Sequence, residues 1–254
     1  MDSAQNPSAS KTGKSAPNKQ FTPLPIYGKF SLILLVVIFI TLLPHYFKIY
    51  SASDSVPVAF IVHGVLYLAW FLLFAVQSNL VVLKKTEAHK KLGYLSLILL
   101  IGLILSGTQM LYGAMSGYDP NWDVGYLRSR TSLIWGVLHT SICFIIFCGL
   151  GFLYRKKMHV HKRLMLMAAL TMIPASITRI AFIGVIPIDG TLLTLLTTYA
   201  LWLAPVVMDR LIFKAVHPVF KWSVPIYVVT QIVCIGLMPA TELGRAIAFP
   251  FKGI

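Results

Sequence analysis

The chain is short of charge, of acid and of cysteine. Of 254 residues, 12% are charged, 8 are Asp or Glu and 3 are Cys, against 57% hydrophobic residues and a mean hydropathy of +0.78. An ordinary soluble domain carries about 25% charged residues, so this much apolar surface needs lipid as its solvent. Cys143, Cys148 and Cys234 lie within apolar runs and show no CxxC or zinc-type spacing, which argues against a disulfide framework or a structural zinc. No HExxH motif is present either. The deficit of acid leaves a net charge of +14. The cations fall in short clusters between apolar runs and so read as membrane-topology signals rather than as a nucleic-acid surface.

Apolar runs of about 20 residues satisfy their backbone in hydrocarbon by forming helices. The pattern predicts an all-α membrane protein with seven transmembrane helices near residues 30–47, 57–83, 92–115, 132–154, 164–186, 191–208 and 223–238. Residues 1–28 are polar, basic and poor in large apolar side chains, which predicts a disordered tail. Residues 29–240 form the membrane domain, and 241–254 a short tail. The first run and Ser51-Ala52-Ser53 could imitate a signal peptide and its cleavage site. The polar segment ahead of that run favours a retained helix.

Short connections imply antiparallel neighbours in one bundle. Lys11, Lys14, Lys19 and Lys29 precede the first helix. Lys84, Lys85, Lys90 and Lys91 fall between the second and third, Arg155, Lys156, Lys157, Lys162 and Arg163 between the fourth and fifth, and Arg210, Lys214 and Lys221 between the sixth and seventh. The opposite connections hold Lys48, Asp54, Asp119, Asp123, Arg128, Arg130 and Asp189. The positive-inside rule then predicts a cytoplasmic N-terminus and an outer C-terminus.

Within this frame a histidine pattern repeats. His63 begins one helical pair that reaches His89 in HKKLGY, and His139 begins a second that reaches His161 in HKRLML. At about 1.5 Å per residue, His63 and His139 lie roughly 10 Å along helices entering from outside. His89 and His161 lie at the cytoplasmic rim, each followed by two basic residues that could meet haem propionates. Two imidazoles at one level can ligate a haem iron, and each can equally be a satisfied anchor residue. Trp70 and Gln77 follow His63 at seven-residue steps on one face. Arg179 lies inside the fifth span, where it suits a propionate, a quinone oxygen or an ion pair with Asp189 or Asp119.

A second constellation at the rim combines His89, His161, His217 and Asp209, with Glu87 nearby, as a zinc or iron site for an intramembrane hydrolase or oxygenase. The third reading is a non-catalytic transporter-like or assembly protein with structural histidines and no cofactor. Enzymatic activity is left open by these alternatives.

The order of outer, inner, outer and inner histidine on four successive helices, with His-basic-basic-Leu-Gly at His89, resembles the cytochrome b-561 class of transmembrane electron carriers over about residues 57–186. That resemblance implies haem b, with His63 and His139 on one iron and His89 and His161 on the other. Transmembrane electron transfer from a quinol or a redox protein would follow. The chain adds a seventh helix to that pattern. HGVLYLAWFLLF, HKKLGYLSLIL and HKRLMLMA also resemble stretches of bacterial multi-pass proteins, which implies an inner-membrane location.

The orientation is open to direct measurement. A cysteine placed at Asn121 is expected to react with a membrane-impermeant maleimide in intact cells, and one at Lys156 only after permeabilisation. The reverse labelling would invert the topology.

Overall fold

A computed structural model describes residues 25–51, 56–181 and 187–251. Every regular element among them is helical: α1 (Pro25–Ser51), α2 (Val58–Val82), α3 (Thr86–Ser116), α4 (Val124–Leu153), α5 (Met158–Ala181), α6 (Gly190–Phe213), α7 (Pro218–Ile232) and α8 (Glu242–Ala248). Seven segments are long and apolar enough to cross a membrane, the last running from Pro218 to Ala240 through a π turn and a 3-10 turn that extend α7. The protein is an all-α integral membrane bundle. Residues 1–24, Ala52 and Ser53, Asp54 and the end of the predicted fifth span lie outside the described residues.

Several helices begin earlier than their apolar runs. The connection around Tyr118 to Arg130 is helical from Val124 because Asp123 caps it, its carboxylate accepting from Tyr126 N at 2.9 Å. Asp189 does the same for α6 through Leu192 N at 2.9 Å. An N-cap carboxylate satisfies an amide that the first turn leaves unpaired, so a polar first turn continues an apolar helix. The tail after residue 240 contains α8, capped by Thr241 and tied to α4 where Trp135 Nε1 donates to Gly244 O at 2.9 Å. Phe249 and Ala248 bury against Ile134 beneath it.

Helix α5 is the centre of the bundle. Its residues from Leu166 to Ile173 are buried, and it packs against α1, α4, α6 and α7, whereas α3 is largely open to lipid. Small side chains at Ala168, Ala169 and Thr171 are fully buried and admit the neighbouring backbones closely. At Gly151 a Cβ would stand 2.7 Å from Met165 Sδ, so α4 and α5 meet closely there and a larger residue would require Met165 to move.

One ion pair fastens the basic end of this bundle. Arg163 on α5 is 4% exposed and Asp209 on α6 is 0% exposed. Arg163 Nη2 donates to Asp209 Oδ1 at 2.6 Å and its Nε to Oδ2 at 2.8 Å. Tyr27 of α1 donates to the same carboxylate at 2.9 Å, and the His217 amide just before α7 does so at 3.1 Å. Asp209→Ala is expected to cost about 3 to 5 kcal/mol by leaving a buried guanidinium uncompensated. Replacing both partners with apolar residues should recover most of that loss. Unfolding in detergent checks this, and a double variant no more stable than the single would contradict it.

Candidate functional site

His89 and His161 are built the same way. Each is the fourth residue of its helix, α3 or α5, just after a basic turn that follows the preceding helix. Lys84 takes a left-handed φ of 59° in the first of these turns and lets α3 fold back on α2. His89 Nδ1 then donates to Gln77 O at 3.2 Å, and His161 Nδ1 donates to Gly151 O at 2.8 Å. In the second case the anchor comes from the helix end. Arg155 N bonds to Phe152 O instead of reaching Gly151 O, so a carbonyl of the last turn is left for the imidazole.

A backbone carbonyl only accepts, so Nδ1 carries a proton in both rings, and Nε2 is the nitrogen that a neutral ring would offer as a ligand. The two rings approach each other, centres 6.2 Å apart and planes at 83°. Helices α2 to α5 therefore converge on one imidazole pair at the basic rim. Gln77 Oε1 is buried there without a hydrogen-bond partner, and Gly93, one turn beyond His89, presents bare backbone opposite the Gln77 amide.

The other two candidate ligands diverge. His63 Nδ1 bonds Ser106 Oγ of α3 at 2.9 Å. His139 is buried against Tyr227, its ring centre 4.8 Å away, and its Nε2 bonds Thr230 Oγ1 of α7 at 2.9 Å. The same Nε2 lies 3.5 Å from Cys143 Sγ, and His139 Nδ1 is buried without a partner. Among the described residues no ring contact joins His63 to His139. Trp70 is a packing residue, edge-on to Phe144 at 5.0 Å. Gln77 matters through its carbonyl.

The rim constellation divides in two. His217 faces His159, ring centres 5.4 Å apart, instead of His89 and His161. Its Nδ1 accepts from Val219 N at 3.2 Å and so caps α7. Burial, then the charges of Arg163, His159 and Lys162, holds the His217 imidazole below its ordinary range. Asp209 is engaged by Arg163, and Glu87 pairs with Lys90 at 2.8 Å on the surface. No group of three or more His, Cys, Asp or Glu able to hold a metal occurs among the described residues.

Arg179 lines a cavity of about 240 Å³ at the opposite end, with Leu42, His45, Tyr46 and Phe60. The two acids expected to pair with it have other roles, Asp189 as the α6 cap and Asp119 bonded to Asn121 N at 2.8 Å. The Tyr46 hydroxyl is buried in the same region without a partner.

Sequence reasoning missed the two carbonyl anchors, the His159 and His217 pair, and the role of Tyr27. The anchors carry no side-chain signal, although the matched His-basic-basic motifs mark where to look. No known protein family, curated protein or solved structure matches the chain. The fold and the site define a seven-helix integral membrane protein with an anchored imidazole pair at one end.

Proposed function

We propose that this protein is a bis-histidine haem b electron carrier whose iron is held by His89 and His161, at the basic and therefore cytoplasmic face of a bacterial inner membrane. The observation that carries the reading is the 6.2 Å between ring centres. A metal–nitrogen bond is about 2 Å and a ring centre lies roughly 1 Å behind its nitrogen, so two rings at this separation would be within reach of one shared metal ion. Both rings are also anchored through Nδ1 to carbonyls, the outer-shell arrangement that fixes a ligating histidine and raises its basicity.

Bound there, haem b supplies a one-electron ferric and ferrous couple. The residues do the rest. Gln77 and Gly151 set the tautomer and rotation of the imidazoles. Gly93, one turn beyond His89, adds no side chain beside that imidazole. Of the basic residues expected at the propionates, Lys90 pairs with Glu87, Arg163 with Asp209, and Lys162 lines the separate cavity between α5, α6 and α7, so Lys91, exposed beside His89, is left with that role.

This reading narrows the expectation of two haems. His63 and His139 are engaged by different helices, and transfer across the whole bilayer would need them. The Arg179 cavity, a place for a quinol, includes Val65. Gln77 is twelve residues further along α2, roughly 18 Å at helical rise. Donor and acceptor are therefore assigned to the basic face.

His89→Ala and His161→Ala are each expected to abolish the low-spin haem spectrum of the purified protein, while His63→Ala and His139→Ala preserve it. Gly151→Ala should distort the α4–α5 contact and broaden or weaken that spectrum. A spectrum that survives loss of either rim histidine would overturn the assignment. A protein without haem that tolerates all four changes would leave the histidines as anchors.

A further inference from the structure

A second site stands at the same end of the bundle, separate from the imidazole pair. A cavity of about 310 Å³ opens between the start of α5, the end of α6 and the start of α7. Its polar lining is His159, Lys162, Arg163 and His217, and its apolar lining includes Phe213 and Val216. Among the described residues no carboxylate lines it. Asp209 lies behind the wall and already accepts from Tyr27 Oη, Arg163 Nε, Arg163 Nη2 and His217 N. A carboxylate offers about four lone-pair sites, so the hydrogen-bonding capacity of Asp209 is filled.

We propose that this cavity binds a phosphate group, that of an anionic phospholipid headgroup. Lys162 and Arg163 bring positive charge and His159 and His217 bring imidazoles to a space that no carboxylate of the described residues lines. The site sits where the basic clusters meet the membrane surface, between transmembrane helices, which is where anionic headgroups are bound. Phe213 and Val216 give the glycerol and the first acyl carbons an apolar wall, which inorganic phosphate would not use. Lys162 Nζ lies 4.4 Å from the Tyr27 ring centre and 5.4 Å from that of Phe213, so aromatic faces hold its ammonium at the cavity wall. The proposal does not depend on haem being bound.

The test is the thermal unfolding of the full chain in uncharged detergent, titrated with phosphatidylglycerol, phosphatidylcholine or inorganic phosphate. Phosphatidylglycerol is expected to give a saturable stabilisation that phosphatidylcholine does not. His217→Asn keeps a capping side chain before α7, and Lys162→Gln removes the ammonium. Lys162→Gln should weaken the phosphatidylglycerol response about fivefold, the effect of one basic residue at a membrane surface, and His217→Asn should weaken it by taking away an imidazole that lines the cavity. An equal, competing and variant-sensitive response to inorganic phosphate would support the phosphate site and make free phosphate its occupant. Equal responses to both lipids, or variants that titrate like the wild type, would overturn the proposal. Should Lys162→Gln fail to fold, His217→Asn decides.

Discussion

The buried pair of Arg163 and Asp209 is the interaction on which the arrangement of this bundle's basic end depends. Two charges inside a membrane protein are tolerated only when each is matched and the remaining hydrogen-bond sites are filled. Here the carboxylate gathers a guanidinium from α5, a phenol from α1 and an amide from the start of α7. Four helices are thereby registered against one another at a single depth. Arg163 lies two residues beyond His161, so the rotation of α5 that satisfies the pair also sets the direction of that imidazole. The same pair forms one wall of the cationic cavity and neutralises the acid behind it.

Two sites thus share one face with little overlap. The imidazole pair belongs to the hairpins α2–α3 and α4–α5, and the cationic cavity belongs to α5, α6 and α7. Helix α5 serves both, with His161 turned toward α3 and α4, and His159 and Arg163 turned toward α6 and α7. Residues two apart on a helix diverge by more than a right angle, which is why HVHKR can address two sites at once.

Much of this architecture was legible in the sequence. The seven spans followed from apolar run length, because hydrocarbon leaves a helix as the only open-chain solution for the backbone. Helix starts were not legible to the same degree, since Asp123 lets α4 begin at Val124 and α3 and α5 begin at Thr86 and Met158, in polar turns that run length ignores. The tandem His-basic-basic signal placed His89 and His161 at one rim, and the structure brings them together. The matching depth of His63 and His139 gave no guide to their facing, because depth is set by position along a helix and facing by its rotation in the bundle. Gln77 and Gly151 act through carbonyls, a role no side-chain pattern encodes. The grouping of His217 with His89 and His161 rested on shared depth alone. Its cap on α7 and its contact with His159 place it in the other cluster.

The measurement that bears most directly on this account is the haem content of the detergent-purified protein, determined as haem b per chain alongside its dithionite-reduced spectrum. The account predicts one low-spin haem per chain, held by His89 and His161. A colourless protein made with ample haem would contradict it, and two haems per chain would mean that His63 and His139 turn to a common ligand after all.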